Sequence, residues 1–152
     1  INYSFPNEQT KGKVIIVQIM GTWCPNCMDE TRYLQNLYSK NHLKGLEIIT
    51  VGYEAGNDFS EQSNKLKLFQ KRLNIPYTLL VGGEASKGLA SSQFTSLNKI
   101  ISFPTAIIIG RDGVIKKIHT GFNGPGTGEK YDEFTKEMDA FIELLLVEKP
   151  TN

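Results

Sequence analysis

The chain has 152 residues, 39% of them hydrophobic and 22% charged, with a net charge of +1. That length and apolar content suffice for one domain with a buried core, and the near-neutral charge excludes binding that rests on a broad basic surface, to nucleic acid or an anionic membrane. The two cysteines, Cys24 and Cys27, are too few for a disulfide scaffold, and with His42 and His119 far apart they do not make a structural zinc site.

Residues 1–12 are polar, with Tyr3 and Phe5 as candidate anchors. Val14 to Met20 is β-branched and apolar apart from Gln18, the pattern of a strand buried on both faces in the middle of a sheet. Pro25 suits the first turn of a helix. That helix is expected to run to about His42, with Met28, Leu34, Leu37 and Tyr38 inward, and Leu46 to Tyr53 to form a second strand. After a loop over 54–60, Ser60 is the expected cap of a helix reaching Leu73, with Leu66, Phe69 and Leu73 on one face. Asn74-Ile75-Pro76 ends it. Tyr77 to Val81 is extended, Gly82-Gly83 reads as a turn, and Ser86 to Leu97 as a weakly apolar helix. Thr105 to Ile109 and Val114 to His119 pair around an Arg111-Asp112-Gly113 turn, which puts His119 on a sheet edge. The loop from Gly121 to Gly128 is no phosphate loop, because Glu129 precedes Lys130 and Tyr131 follows it. Tyr131 to Val147 is an amphipathic helix with Phe134, Met138, Phe141, Leu144 and Leu145 inward.

The chemistry gathers at Gly21-Thr22-Trp23-Cys24-Pro25-Asn26-Cys27. A Cys-x-x-Cys turn between a strand and a helix is the arrangement of a thiol–disulfide redox site. The spacing puts the first cysteine at the exposed helix start and the second one turn further in, so that the sulfurs reach disulfide distance with little backbone movement. The first thiol then faces free N–H groups and the positive end of the helix dipole, which favour thiolate, the reactive form. Met28 after Cys27 rules out the haem-attachment pattern. Two buried structural cysteines are the plain alternative.

Trp-Cys-x-x-Cys after a β-run, with a distant Ser102-Phe103-Pro104-Thr105, resembles the thioredoxin superfamily. Gly12-Lys13-Val14, the Gly-Thr-Trp-Cys approach and Glu30 three residues after Cys27 are similar to the bacterial TlpA/ResA-like thiol–disulfide oxidoreductases over nearly the whole chain. The resemblance implies an α/β, thioredoxin-like fold. Its central mixed sheet is flanked by helices on both faces, with an αβ insertion at about 54–83. It also implies one domain over 1–152, a processed or excised C-terminal part of a longer chain, since the sequence starts at Ile1 without a signal peptide or membrane-spanning stretch.

By the same resemblance Cys24 is the nucleophile and Cys27 the resolving thiol. Trp23, Pro25, Phe103 and Pro104 shape substrate docking, with Pro104 in the cis form. Gln18 stands six residues before Cys24, where thioredoxin carries a buried, proton-transferring aspartate. Gln18 cannot titrate, and Glu30 is implied to take over that role. An early-turn acid that is merely solvated is the competing reading, and burial tells the two apart. Asp29 is expected to point away into solvent.

The implied activity is reduction of protein disulfides, with no metal and no cofactor beyond the Cys24–Cys27 pair itself. A membrane thiol–disulfide protein is the implied electron donor, in an extracytoplasmic, periplasmic or membrane-anchored setting, with the domain a monomer. A peroxidase would need threonine or serine at Gly21 and proline at Val17. A thioredoxin-like binding or copper-handling module is the remaining alternative.

Overall fold

The computed structural model describes residues 3–94 and 102–150. Its centre is β1 (Val14–Met20), in which every residue is buried. β2 (Leu46–Glu54) lies parallel to β1 on one side, and β4 (Thr105–Ile109) antiparallel on the other. With β3 (Thr78–Glu84) and β5 (Ile115–Thr120) at the edges, the order is β3-β2-β1-β4-β5. Side chains alternate across the pleat. Val14, Ile16 and Met20 therefore enter one apolar cluster and Ile15, Val17 and Ile19 the other. Each such side chain contributes about 1.5–3 kcal/mol on burial, so this strand must be central.

Helices α1 (Pro25–Asn41), α2 (Phe59–Leu73) and α4 (Glu129–Val147) supply the first cluster, and α3 (Lys87–Gln93) covers the second together with Tyr3. Phe5, the other expected anchor, is exposed. The helix predicted over Ser86–Leu97 has Ser86 as its cap, and its last three positions lie outside the described residues. On α1, Leu34 and Leu37 are buried as expected, while Met28 and Tyr38 are half-buried against the same cluster and Tyr33 joins them.

Three expectations need correction. Asp58, not Ser60, caps α2, accepting from the Glu61 N–H at 2.8 Å. Aspartate caps as well as serine and adds a negative charge at the positive end of the helix dipole, and the helix starts two residues earlier for it. On α4, Leu144 is 66% exposed, and Ile142 and Leu146 are buried instead. Leu144 lies two positions, about 200°, round the helix from Ile142, on the far side.

The third correction concerns Gly82-Gly83, which continue β3 rather than turning. The strand bulges opposite Gly52/Tyr53, and Gly83 has φ +131°. A Cβ on Gly82 would sit 2.6 Å from Tyr53 Cζ, so the glycine is there to let the Tyr53 ring lie against the strand. Gly82→Ala is therefore expected to destabilise the protein by about 1–3 kcal/mol, as a lowered urea midpoint. An unchanged midpoint would show that Tyr53 swings away freely. α2 and β3 make the expected insertion, closing at Glu84.

Candidate active site

β1 ends at Met20, and the chain turns through Gly21-Thr22-Trp23 into α1. The turn is held from β2. Glu54, the buried last residue of β2, accepts the Thr22 N–H at Oε1 (2.8 Å) and the Thr22 hydroxyl at Oε2 (2.6 Å). The indole N–H of Trp23 donates to Tyr53 O at 2.8 Å. Gly21 is required beneath that indole, because a Cβ there would lie 2.2 Å from Nε1. The Tyr53 hydroxyl is in turn fixed by Gln93 Oε1.

Cys24 is the N-cap of α1, with its Sγ accepting the Cys27 N–H at 3.3 Å. Pro25 takes the first helical position, where no N–H is needed. The Phe103–Pro104 peptide is cis, and Phe103 O accepts from Cys24 Sγ at 3.7 Å. Trp23 stands edge-on to the Phe103 ring, centroids 5.6 Å apart. The expected site residues thus meet at one place, although Cys24 is only 8% exposed, less than a helix start alone suggests. Trp23, Pro25 and Asn26 are the exposed members of the motif.

Both cysteines are free thiols. Cys27 is fully buried, and that burial, seconded by Cys24 and Glu30, pushes its thiol far above the usual range, against an opposing backbone hydrogen bond at Gly21. Alkylation of the reduced protein near neutral pH is accordingly expected to label Cys24 well before Cys27, as read by peptide mass mapping. Preferential labelling of Cys27 would reverse their roles.

Glu30 is 2% exposed, and burial pushes its carboxyl up to about 8, with Gln18 the opposing influence. Its Oε1 has no hydrogen-bond partner, which suits a protonated acid better than a carboxylate. A small cavity with room for about one water, ≈ 10 Å³, separates it from Phe134 and Met138 of α4. The solvated reading of Glu30 is therefore excluded. Asp29, expected in solvent, is instead half-buried against the glycine loop, where a Cβ on Gly124 would touch its Oδ2 at 2.5 Å.

Gln18 anchors a buried network below the motif. Its amide donates to Thr31 Oγ1 (3.1 Å) and accepts from Thr50 Oγ1 (3.0 Å), while the Thr31 hydroxyl donates to Cys27 O at 2.8 Å. Sequence reasoning did not pick out Thr31, Thr50 or Glu54. The first lies four residues after Cys27 on one helical stripe, a detectable signal. Thr50 faces Gln18 only through the β1–β2 register. Glu54 borders a polar loop and reads as part of it.

His119 lies on edge strand β5 with its ring against Phe134, centroids 4.4 Å apart. Among the described residues no cluster of His, Cys, Asp or Glu is arranged to hold a metal ion, and no helix is long and apolar enough to cross a membrane.

The chain is 30% identical over 130 residues to the thiol-disulfide oxidoreductase ResA of Bacillus thuringiensis, an alignment covering 84% of this chain and 65% of that protein. It is 25% identical to the thiol:disulfide interchange protein DsbE of Escherichia coli, covering 84% and 63%. The chain thus spans just under two thirds of the length of these curated relatives. A crystal structure of a thioredoxin family thiol:disulfide interchange protein from Chlorobium tepidum superposes with a TM-score of 0.67 at 20% identity, over 90% of this chain and 82% of that one, a likeness of fold. Residues 2–134 match the Redoxin family profile, and the chain belongs to that family.

Proposed function

We propose that the protein is a thiol–disulfide oxidoreductase that reduces protein disulfides with the Cys24/Cys27 pair. The observation that carries this reading is the stacking of three groups along one helix start. A nucleophile sits at the cap, a second thiol lies sealed below it, and a carboxyl of raised affinity for protons is buried one turn deeper.

In the first step the Cys24 thiolate attacks one sulfur of the substrate disulfide. A Cys24–substrate disulfide forms, and the other substrate sulfur leaves as thiolate and takes a proton from water. The helix start and the Cys27 N–H face the sulfur throughout. Cys27 then gives its proton to the Glu30 carboxylate and attacks Cys24 Sγ. The Cys24–Cys27 disulfide closes, and the second substrate thiolate is released and protonated. The substrate gains two electrons from the protein and two protons from water, and the Cys27 proton stays on Glu30 until it passes to solvent.

A dithiol donor must then restore the pair. The TlpA/ResA-like resemblance supports a membrane-bound donor, an extracytoplasmic bacterial setting and a monomeric domain, with Trp23, Pro25, Phe103 and Pro104 as the docking rim. Turbidity from reduced insulin chains, together with the reduction potential of the pair in glutathione buffers, tests the reading. No insulin reduction by the dithiol form would leave a binding module in its place.

A further inference from the structure

Beside the motif, α1 and α2 leave a groove of about 230 Å³ lined by Thr22, Met28, Lys65, Leu68, Phe69, Arg72 and Leu73. Its floor is apolar, and Leu68 is 49% exposed there. Thr22 lies two residues before Cys24 and Met28 one after Cys27, so a chain whose disulfide reaches Cys24 passes the groove's mouth.

The charged side chains that line the groove, Lys65 and Arg72, are both cationic. α2 carries Lys65, Lys67, Lys71 and Arg72 against the single acid Glu61, in a chain whose net charge is only +1. Arg32 lies one turn beyond Met28 on the same stripe of α1. The next member of that stripe, Gln35, reaches over to Leu73 O at 2.7 Å. Lys65 donates to Ala55 O, and neither it nor Arg72 or Arg32 has a carboxylate partner among the described residues. An apolar floor under uncompensated cations suits a segment that is apolar and acidic at once.

We propose that this groove is a substrate subsite that takes an apolar side chain flanked by carboxylates, a few residues from the cysteine that Cys24 attacks. The inference rests on the oxidoreductase reading and adds the recognition class to it. α2 belongs to the insertion, so the element added to the core selects the substrate while the core supplies the chemistry.

The test uses the reduced full chain in single turnovers with two synthetic peptides. Each holds one intramolecular disulfide followed by a leucine, which is flanked by aspartates in one and by lysines in the other. The acidic peptide is expected to be reduced about tenfold faster at low ionic strength, with the difference shrinking in salt. Arg72→Glu is expected to abolish or invert the preference, and Leu68→Ser to remove the advantage of the acidic leucine peptide over a third peptide with alanine in place of that leucine. Equal rates for the two peptides in the wild type, or a preference that survives Arg72→Glu, would overturn the proposal while leaving the oxidoreductase intact. The salt dependence of the unmodified protein decides the matter even if a variant folds poorly. Failure to reduce either peptide or a small aromatic disulfide would overturn the oxidoreductase reading, and this proposal with it.

Discussion

Cys24→Ser is expected to abolish disulfide reduction, and Cys27→Ser to stop it halfway. Serine is itself a good N-cap, so the first variant keeps the Cys27 N–H partnered and α1 intact. The chain has no third cysteine to substitute, so turnover should fall by about three orders of magnitude or more, to the background of thiol-free protein.

Cys27→Ser leaves the nucleophile in place. It can attack, but nothing buried beneath it can resolve the product. Incubated with a disulfide-bearing protein, this variant should accumulate a covalent adduct through Cys24, stable without reductant and released by dithiothreitol. Mass spectrometry under non-reducing conditions reads the adduct directly. The buried serine hydroxyl at this fully covered position is expected to cost about 1–3 kcal/mol of stability, so a shifted unfolding midpoint with trapping intact is the signature. Adduct formed by Cys24→Ser through Cys27 would exchange the two roles.

The parts of the molecule legible in the sequence are those fixed by local pattern. β1 could be read to the residue, because a β-branched apolar run interrupted only by Gln18 fits a strand covered on both sides. The Cys-x-x-Cys turn and its helix were legible for the same reason: Pro25, the spacing and the preceding strand are consecutive. What escaped depends on contacts between distant segments. Gly82-Gly83 carries the composition of a turn, yet the Tyr53 ring, across the sheet from it, makes those glycines part of a strand. Glu54 opens a Gly-Asn-Asp stretch and reads as solvated, yet the Thr22 N–H and hydroxyl draw it inward as the clamp on the motif's approach. Glu30 stood between the two cases. Its spacing from Cys27 was visible, but its burial depended on α4, which follows about a hundred residues later and covers the cavity beside it.

That burial gives Glu30 a consequence for stability as well as for rate. Its carboxyl titrates near 4.5 in an unfolded chain and near 8 in the folded one. A group whose affinity for protons rises on folding favours the native state below its unfolded value and loses that contribution as pH climbs through the folded one. The unfolded state ionises Glu30 first. Glu30 should therefore take stability away between about pH 4.5 and 8, by up to about 1.4 kcal/mol per pH unit, while His119, whose imidazole pKa burial lowers, acts in the opposite sense. Tyr33 and Tyr77, which sense Glu30, have hydroxyls pushed further above neutrality, and Cys27 titrates higher still than its usual range, so none of the three contributes in that window.

Glu30→Gln keeps the shape and removes the titration. It should match the wild type near pH 4.5 and exceed it by a few kcal/mol near pH 8, in urea titrations at the two pH values. The same substitution removes the acceptor for the Cys27 proton. In the wild type, resolution of the mixed disulfide should quicken as pH rises towards 8, where the carboxylate becomes populated. In Glu30→Gln it should be slower by on the order of a hundredfold, and that pH dependence should vanish. A variant more stable at pH 8 yet unchanged in its pH–rate profile would leave Glu30 as a buried acid without a part in proton transfer. A more stable and slower variant would mean that the native state gives up stability to keep a base beneath Cys27.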